Sequence, residues 1–161
     1  MMNINASKPV VMGLGNPLFQ DEGLGIHVIS RLLKLKWAER VELIDGGTEG
    51  LSLLNPVEAA EYLLVIDAID GGFQPGTVKL WNGSQIPFIV HQRTSLHQLG
   101  FQEVLALARM RGTIPEQMLL VGVQPRTLEW GTQLTPEVAG SVPLVIDIVY
   151  QQINRWSWGQ A

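Results

Sequence analysis

Short apolar runs alternate with amphipathic segments along most of the chain, which leaves few folds open to it. The apolar runs are rich in strand-forming residues, and the segments between them repeat apolar side chains at helical spacing. Such alternation predicts an α/β fold: a mainly parallel, twisted sheet of about five strands with helices on both faces. The predicted strands are Pro9–Leu14, Val41–Ile44, Tyr62–Ile66, Thr77–Trp81 and Met118–Val123.

Length and composition favour a single domain. The 161 residues are 46% hydrophobic, enough for one core, and no repeat or linker divides them, so we expect one domain over residues 1–161. The N-terminal residues lack the pattern of a signal peptide, and no run reaches the roughly 18 apolar residues of a membrane span. We therefore expect a cytoplasmic protein with no membrane partner.

Helix starts are marked by capping signals. One helix is predicted from Glu22, with Asp21 as its N-cap, and another has Thr135 at the N-cap and Pro136 in its first turn. Pro143 predicts a kink or break before a final helix. Further helices are predicted at Leu51–Leu54, ending near Pro56, and at Gln98–Arg109.

Charge and cysteine content exclude several classes of protein. The formal net charge is -4, so no basic surface is available for nucleic acid, and a neutral or cationic partner is expected. The chain has no cysteine, which excludes disulfides and thiolate metal sites. Carboxylate oxygen and imidazole are the strong metal donors that remain.

Acidic residues follow three of the predicted strands. Asp21 and Glu22 come after the first strand, Asp45 ends the second, and Asp67 and Asp70 end the third. The carboxyl ends of parallel strands meet at one edge of the sheet, where such folds bind ligands. Each acid alone has a simpler explanation as a cap or turn residue. Together they predict an edge that attracts cations.

A histidine completes a possible metal site. His97 begins the helix that follows the long connection Asn82–Leu96, and His91 within that connection is a rival. Crowded carboxylates repel one another unless a cation lies between them, so a Glu/Asp/His trio fits a divalent ion. Three protein ligands leave a position open, which suits water activation or polarisation of a carbonyl, and these ligand types do not separate zinc from nickel.

Two known motifs come close to the glycine-rich segment without matching it. Gly13 and Gly15 follow a strand as in dinucleotide-binding folds, but Leu18 stands where the third glycine is needed. The letters GLGNP also resemble the opening of peptidyl-tRNA hydrolases, whose histidine-asparagine element is absent here. Trp156 and Trp158 are interpreted as packing residues or tail anchors, not as a stacking platform.

Seven motifs in order carry a resemblance over nearly the whole chain. They are GLGNPLFQDEGLG, VELIDGGTEG, LLVIDAIDGG, PGTV, HQLG, LVGVQP and LTPEV. With these motifs the chain resembles the nickel-iron hydrogenase maturation endopeptidases. That family removes a short C-terminal extension from the precursor of the hydrogenase large subunit, after the nickel-iron centre has been inserted.

The resemblance implies roles for particular residues. The catalytic metal ligands would be Glu22, Asp67 and His97, and the loop of Asp45, Gly46, Gly47 and Thr48 would contact the substrate. Nickel would arrive with the metallated precursor, and zinc or another divalent ion can stand in for it in vitro. The role of Asp70 stays open. The alternatives are a non-catalytic nickel-sensing chaperone of the precursor and another metal-assisted hydrolase on the same scaffold.

Overall fold

A five-stranded sheet forms the centre of the molecule. The computed structural model describes residues 7–86 and 96–158, apart from the side chains of residues 96–99 and 158. The strand order is β2-β1-β3-β5-β4, and all neighbours are parallel except β4, which is antiparallel to β5. Each predicted strand overlaps an observed one, which confirms the predicted α/β fold. The strands are β1 (Val10–Leu14), β2 (Glu42–Gly47), β3 (Tyr62–Ala68), β4 (Val78–Asn82) and β5 (Gln117–Val123).

Helices cover both faces of this sheet. On one face α1 and α4 pack against the strands, and on the other α2 and α3 do so, each pair burying its own apolar cluster. Within the described residues, no helix combines the length and apolarity needed to cross a membrane. The helices are α1 (Leu24–Leu32), α2 (Leu54–Ala59), α3 (Leu96–Met110) and α4 (Pro136–Trp158), and 3-10 turns lie at Gln20–Gly23, Lys36–Arg40 and Gly50–Leu53.

Strand β3 shows why the sequence reads as continuous apolar runs. All seven of its residues are buried, because both faces of a parallel sheet are covered by helices. Leu64 and Ile66 pack into the cluster of α1 and α4, whereas Leu63 and Val65 pack into the cluster of α2 and α3. Successive side chains of a strand point to opposite faces, so Asp67 lies on the α2 and α3 side.

The start of the first helix differs from the prediction. A 3-10 turn, Gln20–Gly23, precedes α1, and neither segment has a side-chain cap, so Asp21 is not an N-cap. Thr135, in contrast, does precede α4, whose first residue is Pro136, and its carbonyl accepts the N–H of Ala139 at 2.8 Å.

Two prolines do not end helices as predicted. Pro56 lies in the first turn of α2, where a backbone N–H has no helical partner to lose. Of the kink or break predicted at Pro143, the break is wrong, because α4 runs from residue 136 to 158 as one helix. Pro143 is exposed, while Val142 and Val145 on either side of it are buried, so packing holds the helix together there.

Part of the long connection falls outside the structure's description. His91 and the rest of residues 87–95 are not among the described residues. Helix α3 begins at Leu96, so the backbone of His97 lies in its first turn, as predicted. The His97 side chain is outside the described part of the chain.

Candidate active site

The strand order creates a crevice between β1 and β3. From β1 the chain moves outward to β2 on one side and then crosses to β3 on the other. Open α/β sheets bind ligands at this kind of reversal, beyond the carboxyl ends of the strands. The turn Gln20–Gly23 follows β1 and has Cα atoms within 8 Å of β3. Glu22 and Asp67 therefore belong to segments that meet at the reversal.

Glu22 lies on a turn that close packing holds in place. Its carbonyl oxygen sits against Gly15, where any added Cβ would overlap it, and its N–H donates to the carbonyl of Phe19 at 3.1 Å. The next residue, Gly23, packs so tightly on Pro17 that a Cβ would lie 2.6 Å from the Pro17 Cα. Glu22 itself is half-buried.

Asp67 occupies the next-to-last position of β3. It pairs in register with Gly122 of β5, and the preceding residue, Ile66, is level with Gly13 of β1. Asp67 is only 3% exposed. An ionised carboxylate this deep requires hydrogen bonds or a cation, and Asp67 does have a polar partner.

The predicted substrate loop lies beside the turn that carries Glu22. Asp45 is level with Gly13 of β1, and β2 continues past it to Gly47, so Asp45 lies inside the strand. The carbonyl of Gly47 accepts the N–H of Gly15 at 3.0 Å. Asp45 and Thr48 are exposed, and Gly46 is buried. Gly15 thus touches both the substrate loop and the Glu22 turn.

The backbone of His97, in the first turn of α3, lies near the segment that follows β2. Gly100, one helical turn further along, lies against the Cα of Gly50, 3.0 Å from where its own Cβ would stand. Gly50 follows the loop of Asp45–Thr48, so the first turn of α3 lies near that loop. Among the described side chains, no three His, Cys, Asp or Glu residues are grouped closely enough to hold a metal ion. The imidazole of His97 is outside that set.

Sequence reasoning missed the role of Asp21. Its carboxylate is completely buried and accepts hydrogen bonds from the segment that follows β5. It also accepts from Thr135, which is 114 residues away in the sequence. The residue itself is visible in the sequence, but no local pattern links it to a partner so distant.

Asp70, whose role was open, stabilises a turn. Its carboxylate accepts the N–H of Gly72 at 3.2 Å and the side-chain amide of Gln124 at 3.1 Å. The carbonyl of the buried Gln124 side chain in turn accepts the N–H groups of Gly71 and Phe73. The simpler interpretation of this acid, as a turn residue, therefore accounts for these contacts.

The segment after β5 packs against the residues that directly precede Glu22. The rings of Phe19 and Trp130 have centroids 4.5 Å apart, and Gln20 donates its N–H to the carbonyl of Gly131 at 2.8 Å. Gln20 has a positive φ of 44°, a conformation that costs about 1 kcal/mol or more outside glycine. Contacts with residues 130–131 hold it there.

Comparison with known proteins identifies a common family. A family model described as hydrogenase maturation protease matches residues 26–152. The chain is 41% identical over 151 residues to the hydrogenase expression/formation protein HupD of Bradyrhizobium diazoefficiens, covering 91% of this chain and 78% of that protein. It is 34% identical over 148 residues to the hydrogenase 2 maturation protease of Escherichia coli, covering 91% and 90% of the two chains.

A solved structure agrees with these matches. The hydrogenase maturating endopeptidase HybD from E. coli superposes with a TM-score of 0.85 and 31% sequence identity. The alignment covers 92% of this chain and 93% of that one. The likeness in fold therefore extends over nearly the whole of both chains.

Proposed function

The chain belongs to the hydrogenase maturation protease family, and from this premise we propose that it is a nickel-dependent endopeptidase. Its substrate is the precursor of a nickel-iron hydrogenase large subunit, from which it removes the C-terminal extension. One observation carries the assignment of the site. The turn of Glu22 follows β1, and the buried Asp67 lies near the carboxyl end of the adjacent strand β3, at the reversal of the sheet where this class of fold binds ligands.

The proposed metal contacts are Glu22, Asp67 and His97. Carboxylate oxygen and imidazole nitrogen suit nickel and zinc, and three protein ligands leave a position for substrate. Nickel is cargo of the precursor and reaches the site with the substrate, anchoring the extension against the enzyme. A nickel-free precursor lacks that anchor, so specificity comes from assembly of the site and not from a long peptide sequence.

Hydrolysis then needs an activated water and a held peptide. Water attacks the scissile carbonyl carbon, the C–N bond breaks, and the proton that the water loses ends on the leaving amine. We assign the acceptance of that proton to a carboxylate such as Glu22, which is half-buried at the rim of the crevice. The loop of Asp45–Thr48 contacts the peptide, since its exposed ends lie beside the Glu22 turn.

A cleavage assay tests this function. The protein is incubated with nickel-loaded and with nickel-free precursor, and the mass of the large subunit is measured. We expect a shortened subunit only from the nickel-loaded precursor, and none with Glu22→Gln in either case. Equal shortening of both precursors would remove the nickel dependence and favour another metal-assisted hydrolase on this scaffold.

The same assay separates an enzyme from a binding protein. A non-catalytic chaperone would bind the nickel-loaded precursor and leave its mass unchanged. Cytoplasmic location is part of the proposal as well. Fractionation of cells that produce the protein should recover it with cytoplasmic markers, and recovery with the membrane or an exported fraction would contradict this.

A further inference from the structure

The buried carboxylate of Asp21 accepts hydrogen bonds from three backbone N–H groups and one hydroxyl. One oxygen accepts the backbone N–H groups of Arg126 at 2.8 Å and Thr127 at 3.2 Å. The other accepts the N–H of Thr135 at 2.8 Å, and the Thr135 hydroxyl lies 3.0 Å and 2.8 Å from the two oxygens. Asp21 is 0% exposed.

These contacts join three separate segments of the chain. Arg126 and Thr127 follow β5, Thr135 stands directly before α4, and Asp21 belongs to the turn that precedes α1. Backbone bonds reinforce the junction, since the N–H of Asp21 donates to Thr127 at 3.4 Å and that of Gly131 donates to Leu18 at 2.9 Å. The turn is thus held by the segment after β5 as well as by its contact with Gly15.

Resting on the proposed function, we propose that Asp21 is a positioning residue that holds the adjacent Glu22 in its working place at the crevice. The carboxylate is too deeply buried to meet a peptide itself. It can act only through the turn whose backbone it fixes. If it no longer accepts these bonds, the N–H groups of residues 126, 127 and 135 lose their partner, and the turn must move for them to find another.

The proposal predicts an effect on turnover more than on substrate binding. A displacement of about 1 Å at a reacting group can cost roughly 100-fold in rate. Asp21→Asn keeps the shape of the side chain but replaces one acceptor oxygen with a donor, and we expect kcat to fall by about 10- to 100-fold with little change in KM. The other proposed contacts with the precursor, at Asp67, His97 and the loop of Asp45–Thr48, are unchanged in this variant, so KM should change little.

Because Asp21→Asn is a change in the core and can prevent folding, Thr135 supplies a second test. Thr135→Val removes the hydroxyl while keeping the side-chain shape, and we expect a fall of about 10-fold in kcat. Thr135→Ser retains the hydroxyl and should restore wild-type turnover. Val149→Ala, a fully buried position of α4 far along the helix from Thr135, serves as the control for stability.

The closing experiment measures kcat and KM per folded molecule on the nickel-loaded precursor, together with hydrogen exchange at the Glu22 amide. We expect reduced kcat and faster exchange in Asp21→Asn and Thr135→Val, and neither effect in Thr135→Ser or Val149→Ala. Normal kcat per folded molecule in both Asp21→Asn and Thr135→Val would overturn the positioning role. A wild-type protein that never shortens the precursor would instead overturn the proposed function.

Discussion

The carbonyl oxygen of Glu22 lies directly on Gly15, so that a side chain at Gly15 has no room. Gly15 also has a φ of +118°, which residues with a Cβ rarely adopt, and its N–H donates to Gly47. A single glycine therefore contacts both the turn of Glu22 and the proposed substrate loop. In this glycine-rich segment, the glycine at position 15 permits this close approach of backbones.

Gly15→Ala should damage both stability and activity. The new methyl group must displace the Glu22 carbonyl, and we expect a loss of about 3 kcal/mol or more in the free energy of unfolding, with cleavage abolished. Gly50→Ala is the matched control, since Gly50 also has a positive φ, of 56°, but a Cβ there has nothing within 4 Å. It should cost only about 1 kcal/mol, measured by urea denaturation. Equal losses for the two variants would contradict the overlap with Glu22.

Substitution of any proposed metal ligand should abolish cleavage while leaving the stability of the protein nearly unchanged. Glu22→Gln, Asp67→Asn and His97→Ala should each stop cleavage, a fall of at least about 100-fold, because each removes one donor from the site. The free energy of unfolding should change by no more than about 1 kcal/mol, since Glu22→Gln and Asp67→Asn keep the side-chain volume and a ligand of an open site contributes little to the core. Precursor mass and thermal unfolding give the two readouts.

His91→Ala is the control for the choice of histidine. We expect it to cleave the nickel-loaded precursor at nearly the wild-type rate. A large defect in His91→Ala with normal cleavage by His97→Ala would move the ligand role to His91. Intact processing by any of the three ligand variants would remove that residue from the site.

The fold was largely predictable because its three central strands, β1, β3 and β5, are buried on both faces. A run such as Tyr62–Ile66 is apolar without alternation, and only a covered parallel sheet explains such a run between amphipathic segments. The neighbourhood of the two acids was predictable from the parallel arrangement, since Glu22 comes soon after β1 and Asp67 lies near the carboxyl end of β3 beside it.

Local rules failed where distant contacts decide the structure. Asp21 is a residue type that favours N-caps and stands where an N-cap is expected. The backbone N–H groups that it binds, however, belong to residues that are 105 to 114 positions further along the sequence. Pro143 removes a helical hydrogen bond, yet the buried neighbours Val142 and Val145 hold α4 continuous across it. Neither outcome has a signal within a few residues, because the energy comes from packing between segments.

Replacement by alanine should cost far more stability at Trp156, in α4, than at Trp130, in the segment after β5. Trp156 is 5% exposed, packs on Tyr62 with ring centroids 5.4 Å apart, and donates its N–H to the side chain of Gln117 at 3.0 Å. Trp156→Ala should therefore lower the free energy of unfolding by about 3–5 kcal/mol. Trp130 is 74% exposed, and Trp130→Ala should cost less than about 1 kcal/mol. A comparable loss at both positions would contradict the packing role of Trp156, which the sequence predicted.

Pro143→Ala should stabilise the protein. The helix α4 continues through residue 143, so alanine supplies a backbone N–H that proline lacks and removes the clash of its ring with the preceding turn. We expect a gain of about 1–3 kcal/mol, smaller than the full cost of proline in a helix because the unfolded chain also becomes more flexible. Gly140→Ala, in the same helix and with nothing within 4 Å of its Cβ, should gain about 0.5–1 kcal/mol and calibrates the measurement. A destabilised Pro143→Ala alongside a stabilised Gly140→Ala would mean that the proline's own shape is required in α4.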